Sequence, residues 1–366
     1  DVTYPNGSSW GNRNSELKLN ITDQRFFHLM LTRGSVGFSD AYIEGYWNCN
    51  DVVSLLALFA SSADLISEAK TSKGLAQRGL EKAHRRSSNT IIKAKDNISA
   101  HYDLSNELYE LMLDDSMTYS SAIFADKQCT LEEAQQLKRQ SLLELAGITS
   151  GSNKNVSLLE IGCGWGGLLN HALDYTDNVS GITLSTEQDA YIKSRYPQLA
   201  GKVHIRDYRH EEGLYDAVIS VEMIEAVGKE FLPAYAKKIS DCLNVNGQVA
   251  LQAITICDTR VLNYRNTPDW IQLRIFPGGE LLTQAEIIEA FAEYGLTLTA
   301  TKNFGLDYAL TLRKWRENFD RNLDKVKALG FDEKFIRTWR YYLMYCEGGF
   351  LAKATDVVQL GFKKKV

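Results

Sequence analysis

The chain predicts an α/β fold, a parallel sheet with helices on both faces, preceded by a smaller N-terminal domain. Three observations carry this. From about residue 155, apolar strand-like runs alternate with helical patterns. The first run, "LLEIGCGWGGLL" at 158–169, passes into a turn holding Gly162, Gly164, Gly166 and Gly167, as when a strand feeds a glycine-rich loop and a helix. A basic stretch at 70–95 carries Lys70, Lys73, Arg78, Lys82, Arg85, Arg86, Lys93 and Lys95 against the single acid Glu81, and it divides the chain into domains 1–95 and 96–366.

In chain order, residues 1 to about 20 are polar and rich in Gly, Ser and Asn, so a loop or frayed start is expected. Residues 17–60 hold short strand-like runs, and "VVSLLALFASSADLI" has helical spacing. In the second domain the runs "VSLLEIG", "NVSGITLS", "KVHIRDY", "YDAVISVEMIEA" and "GQVALQAITI" read as five successive strands. Between the last two lies the helical pattern "FLPAYAKKISDCL". Ligands of such sheets bind at the carboxyl ends of the strands, which directs attention to the residues just after each run.

Bulk properties narrow the function. The 366 residues are 44% hydrophobic and 24% charged, enough for a sizeable core. A net charge of −5 speaks against a chain built for nucleic acid. Six scattered cysteines without a C-x-x-C, and only six histidines, argue against a zinc site or any other metal, and thiols in a reducing cytosol are expected. No apolar run reaches the roughly 18 residues of a membrane span. The sequence shows no signal peptide, and since it opens on Asp1, a missing N-terminal piece is an expectation. The N-x-S/T sequons, such as Asn97-Ile98-Ser99, are read as chance.

The glycine turn alone does not choose a cofactor. Gly162, Gly164 and Gly167 satisfy a dinucleotide pattern, while Gly162, Gly164 and Gly166 satisfy that of methyltransferases. Either ligand brings an anionic group to a helix N-terminus. A dinucleotide fold places an acid at the end of the second strand for the ribose, but here Thr183 and Ser185 stand there, followed by Gln188. Asp207, ending the third strand, is placed to accept from an adenine amino group. The pattern favours S-adenosylmethionine (SAM), with NAD and a non-binding turn as the alternatives.

A wider set of motifs is more specific. "HYDLSNELYELMLDDSMTYSSAIF" (101–124), "LLEIGCGWGGL", "GITLSTEQ", "RDYR", "VEMIEAVGKEF", "IFPGGELLT" (275–283), "GLDYALTLRKWRENF" (305–319) and "FIRTWRYYLMYCEGGF" (335–350) occur in this order. Together they resemble the cyclopropane-fatty-acyl-phospholipid synthase family of SAM-dependent methyltransferases, whose sheet is Rossmann-like. Residues 17–90, most clearly "SVGFSDAYIEGYW", resemble the extra N-terminal domain of its full-length bacterial members. The resemblance implies transfer of the SAM methyl to a cis double bond of a phospholipid acyl chain, with closure to a cyclopropane ring and bound bicarbonate as base. A methyl- or methylene-branched product is the alternative on the same motifs. A NAD-dependent oxidoreductase and a non-catalytic lipid- or SAM-binding module stand as readings of other classes.

The resemblance also assigns residues. SAM would touch Tyr119, Ser120, Gly162, Gly164, Thr183, Gln188, Asp207 and Tyr208. Bicarbonate would be held by Glu225, Tyr308 and the backbone at Ile254. Ser121 and Gln252 stand where the family has Cys and His, so they can hydrogen-bond but supply no titrating imidazole. His101 and Tyr102 would lie by a cofactor lid, and Phe276 and Pro277-Gly278-Gly279 in a loop over the site. The aromatics Trp339, Tyr341, Tyr342 and Tyr345 would line a lipid channel or form a core stripe. A cytoplasmic protein resting on the inner face of an anionic membrane is expected, through the 70–95 stretch and Lys363-Lys364-Lys365. A homodimer is a further implication.

Overall fold

The structure is a computed structural model that describes residues 1–62, 105–126, 128–151 and 153–365. The basic stretch 70–95, the boundary near 95, His101, Tyr102 and the Asn97 sequon lie outside the described residues.

All five expected strands form: β5 (Leu158–Ile161), β6 (Val179–Thr183), β7 (Val203–Ile205), β8 (Tyr215–Val221) and β9 (Leu243–Ile256). They pair in parallel in the order β9-β8-β5-β6-β7. Two further strands, β10 (Leu296–Asn303) and β11 (Thr355–Lys364), add antiparallel beyond β9 in the order β10-β11-β9. Among the described residues this sheet has seven strands, in the Rossmann-like arrangement that the sequence predicts. β5 lies between β6 and β8, so the chain reverses its winding direction beside the glycine turn, where such sheets bind ligands.

Local chemistry explains the helices that matter to the site. α4 (Leu131–Leu145) opens with a capping box, Thr130 accepting from the Glu133 N–H while the Glu133 side chain returns to the Thr130 N–H. α6 (Thr186–Arg195) is capped by Ser185, whose hydroxyl accepts from the Gln188 N–H at 3.2 Å. α7 (Gly228–Asp241) covers the "FLPAYAKKISDCL" pattern. Two long helices close the other side, α11 (Gly305–Arg321) and α13 (Glu333–Leu351). Of the other helices, α3 is Asn106–Glu110, α5 Gly167–Ala172, α8 Val261–Asn266, α9 Trp270–Arg274, α10 Gln284–Glu293 and α12 Leu323–Ala328.

The N-terminal segment departs from expectation. Instead of a frayed start, β1 (Val2–Thr3), β2 (Ser9–Trp10) and β3 (Leu19–Ile21) join β4 (Trp47–Cys49) in a small sheet. The Asp1 ammonium donates to the Leu17 carbonyl at 3.0 Å. Where strand-like runs are expected, the main element is the helix α1 (Arg25–Ile43), kinked at Gly34 with φ +55°. α2 (Val52–Ser61) agrees with its helical spacing. These elements share one hydrophobic cluster with α13: Val36, Phe38, Tyr42, Trp47 and Leu56 pack in the same core as Trp339 and Tyr341. The Ser39 and Tyr341 hydroxyls bond at 2.8 Å across that junction.

Candidate active site

The carboxyl ends of β5, β6, β7 and β8 meet α11, α13 and the 271–281 loop around a cavity of about 360 Å³, within the usual range for small-molecule sites. At the sheet end it is lined by Gly162, Gly164, Thr183, Gln188, Asp207 and Tyr208. Gly162 has φ +79° and Gly164 φ +51°, backbone that favours glycine. A Cβ on Gly162 would stand 3.0 Å from Met223 Cγ. Thr183 Oγ1 donates to Gln188 Oε1 at 2.6 Å, which fixes the amide at the mouth of the second strand. Asp207 lines the cavity, but both carboxylate oxygens are held by the Arg209 guanidinium at 2.8 and 2.7 Å. These residues fit the adenosyl part of SAM: they give close backbone approach, a hydroxyl, an amide and an aromatic face at Tyr208.

The opposite wall is aromatic. Tyr119, Phe276, Tyr342, Tyr345 and Phe350 line it. The Tyr119 and Tyr342 hydroxyls bond at 2.8 Å. The helical aromatics therefore divide: Tyr342 and Tyr345 face the cavity, whereas Trp339 and Tyr341 are core residues, 2% and 0% exposed. Phe276 and Gly279 of the expected loop are in the wall, and Gly278 has φ +85°.

Between the two walls lies a cluster of polar groups, and its centre differs from the expected one. Glu222, which immediately follows β8, lines the cavity with its backbone in the left-handed region at φ +50°. Its Oε1 accepts from the Ser121 N–H at 2.9 Å and from Gln252 Nε2 at 2.7 Å, and its Oε2 accepts from the Tyr308 hydroxyl at 3.0 Å. Burial pushes the Glu222 carboxyl above the ordinary range, opposed by the Gln252 hydrogen bond and the Lys138 charge. Burial also raises the Tyr308 phenol well above its usual value, so it stays a proton donor. Glu225, one turn on, accepts from the Ile254 N–H. Its other oxygen is buried without a hydrogen-bond partner, and burial followed by the Glu222 charge pushes its carboxyl up to about 8.

Ser120, Ser121 and Gln252 do not reach the cavity surface. The Ser120 hydroxyl accepts from the buried Lys138 ammonium of α4 at 2.6 Å. The Ser121 hydroxyl turns to the Ala122 carbonyl, and only its backbone N–H serves the cluster. Gln252 is oriented from behind: its Oε1 accepts from Gln359 Nε2 at 3.0 Å, and Gln359 Oε1 accepts from the Ser141 hydroxyl at 2.6 Å. Both polar ends of that amide are thus engaged. Every donor that the resemblance assigns to bicarbonate (Ser121 N–H, Gln252 Nε2, Tyr308 OH, Ile254 N–H) ends on a carboxylate of the chain itself. An additional anion would meet those carboxylate oxygens, so this arrangement does not fit bicarbonate.

Sequence reasoning missed Glu222 and Lys138. The signal for Glu222 was the pair of acids three residues apart in "VEMIEA"; the one that resembled the family drew the attention. Lys138 gave no signal, because a lysine in an amphipathic helix reads as solvated. Among the described residues no group of His, Cys, Asp and Glu is arranged to hold a metal ion.

Comparison with known proteins agrees with the architecture. The family model "Mycolic acid cyclopropane synthetase" matches residues 89–360. A tuberculostearic acid methyltransferase of Mycobacterium tuberculosis is 38% identical over 341 residues, 89% of this chain and 78% of that protein. The cyclopropane-fatty-acyl-phospholipid synthase of Escherichia coli K12 is 31% identical over 359 residues, 97% of this chain and 90% of that one. Among solved structures, a cyclopropane synthase of Mycobacterium tuberculosis superposes with a TM-score of 0.67 at 29% identity, over 74% of this chain and 98% of that one. A mycolic acid cyclopropane synthase complexed with SAH and CTAB does so at 0.66 and 28%, with the same coverage. The chain belongs to the mycolic acid cyclopropane synthetase family of lipid-acting, SAM-dependent methyltransferases.

Proposed function

We propose that this chain transfers the methyl group of SAM to a cis double bond of an unsaturated acyl chain in a membrane phospholipid and closes the product to a cyclopropane. The observation that carries the reading is the juxtaposition, in one cavity, of a glycine-rich sheet end, an aromatic wall and a buried carboxylate cluster. SAM supplies an electrophilic methyl when bound. Methylation of an alkene leaves a carbocation, which water would quench. Tyr119, Phe276, Tyr342, Tyr345 and Phe350 make a wall that excludes water and offers ring faces to a cation. Ring closure then requires loss of one proton, hence a base held beside an apolar channel. A solved relative is complexed with both SAH and CTAB, a detergent with a long alkyl chain, which supports a protein that takes such a chain as well as the cofactor.

The substrate belongs to a bilayer, and we propose that the chain meets it from an anionic surface on the cytoplasmic side. Leu262, 72% exposed, lies on the same short helix as Tyr264 of the cavity wall, so an apolar side chain faces out beside the site. Among the described residues no helix is long and apolar enough to cross a membrane. Of the terminal lysines, Lys364 is not free for lipid, since its ammonium donates to the Ser240 and Leu243 carbonyls at 2.7 and 2.8 Å.

A second product is favoured by one finding: the 38% identical relative is named a tuberculostearic acid methyltransferase, not a cyclopropane synthase. On that reading the cation loses its proton without closing a ring. Incubation with SAM and vesicles of unsaturated phosphatidylglycerol and phosphatidylethanolamine, followed by mass spectrometry of the fatty methyl esters, separates the two. A gain of one CH₂ that resists hydrogenation supports the cyclopropane, and a gain followed by uptake of hydrogen supports the branched alkene. No mass gain in SAM-binding protein overturns both.

A further inference from the structure

We infer that Glu222 is the base of the reaction: its carboxylate takes the place of a bound bicarbonate, and turnover needs no added anion. The inference rests on the reaction proposed above. Its ground is geometric. Three donors from three separate elements converge on one side chain: the Ser121 N–H from the 118–122 loop, Gln252 Nε2 from β9 and the Tyr308 hydroxyl from α11. Convergence of this kind builds an anion site, and here the anion is covalently part of the chain.

A second observation is independent of the first. A non-glycine residue at φ +50° carries backbone strain of roughly 1 kcal/mol, and strained residues of this kind cluster at functional sites. A glycine would relieve that strain, yet the position holds the longer of the two acidic side chains. Glu222 stands immediately after β8, in the cavity wall. The surroundings also support a charged form there. Lys138, fully buried in α4, is a cation that acts on Glu222. Neighbouring Glu225 is held towards its neutral form by burial and by the Glu222 charge.

The step balances as follows. The alkene π pair forms a bond to the methyl carbon as the carbon–sulfur bond breaks, and the released pair stays on sulfur, giving S-adenosylhomocysteine. One proton of the new methyl passes to a Glu222 oxygen, and the freed C–H pair closes the ring onto the cationic carbon. Glu222, now neutral, returns its proton to solvent after product leaves. No oxidant, reductant or further reactant is consumed.

The test uses the full chain with SAM and unsaturated phospholipid vesicles in buffer stripped of carbon dioxide under inert gas, with and without restored bicarbonate. The wild type is expected to turn over equally in both. Glu222→Gln keeps the shape and removes the basic oxygen. It is expected to lose at least about a hundredfold in turnover, the scale of a lost general base, with SAM affinity by calorimetry unchanged. Glu222→Gly relieves the backbone, so it guards against a folding artefact, and its residual turnover is expected to rise when bicarbonate is added. Wild-type turnover that collapses without bicarbonate overturns the inference, as does a Glu222→Gln chain of normal rate. A wild type that gives no product in either buffer overturns the proposed reaction itself, and the base with it.

Discussion

At the residue scale, two glutamates three positions apart have separated roles. Glu222 gathers three donors, while Glu225 takes one backbone N–H and keeps one oxygen unpartnered. Nothing in "VEMIEA" distinguishes them, because the distinction arises from the left-handed turn after β8, which points one side chain back at Ser121 and α11. That Gly162, Gly164, Thr183 and Gln188 stand in the cavity wall was legible, since ligands of such sheets bind at the strand ends. The fate of Ser120 was not, because its partner Lys138 comes from a helix whose packing only the tertiary fold decides. Tyr308 offers a direct check. Tyr308→Phe removes one donor from Glu222 and keeps the ring against Phe350, whose centroid lies 4.7 Å away. Turnover should fall roughly ten- to hundredfold with the KM for SAM within about twofold, since a charge-assisted hydrogen bond contributes on the order of 1.5–3 kcal/mol. A KM that rises while turnover holds would place Tyr308 in cofactor binding instead.

At the scale of elements, the five parallel strands were readable because buried parallel strands are continuous apolar runs. β10 escaped because most of it is exposed and its composition, "LTLTATKN", is polar on the outer face. α1 escaped because "RFFHLML" is aromatic and apolar over too short a run to tell helix from strand, and Gly34 interrupts its period. α13 shows how one amphipathic pattern can serve two purposes. Trp339 is buried against Phe335 and donates its indole N–H to Met112 Sδ at 3.2 Å, while Tyr345 lines the cavity. Trp339→Ala should cost about 3–5 kcal/mol of unfolding free energy in urea melts, the range for a large core truncation. Tyr345→Phe should stay within about 1 kcal/mol of wild type, since it keeps the ring. Equal losses from both would mean that the Tyr345 hydroxyl, which donates to Asp269, holds the fold as strongly as the Trp339 ring.

At the scale of the molecule, the N-terminal segment shares its core with α11 and α13, while the strands of the catalytic sheet pack mainly in two other clusters. The sheet also buries titratable groups beneath the site. Burial raises the Glu160 carboxyl of β5 to about 8 and lowers the Lys138 ammonium to about 8. The sign for Glu160 is fixed by which state binds more protons. Above its unfolded value of 4.5 the unfolded chain ionises first, so the stability present at acid pH is lost as pH rises toward 8. Lys138 acts with the opposite sign, but only above about 8, between its folded and unfolded values. Glu225, also raised to about 8, acts in the same window, so the melting temperature should fall from about pH 5.5 to pH 8 and Glu160→Gln should lessen that fall. An unchanged slope in the Gln variant would show that Glu160 is not the group responsible.

The central claim is that the SAM methyl enters an acyl chain in this cavity. Methyl-labelled SAM, unsaturated phospholipid vesicles and the wild-type chain test it most directly, with the extracted lipid and the aqueous phase counted separately. The account predicts label in the acyl chains, matched mole for mole by S-adenosylhomocysteine, and a loss of both in Glu222→Gln. S-adenosylhomocysteine formed without label in the acyl chains, or label confined to head groups, would contradict it.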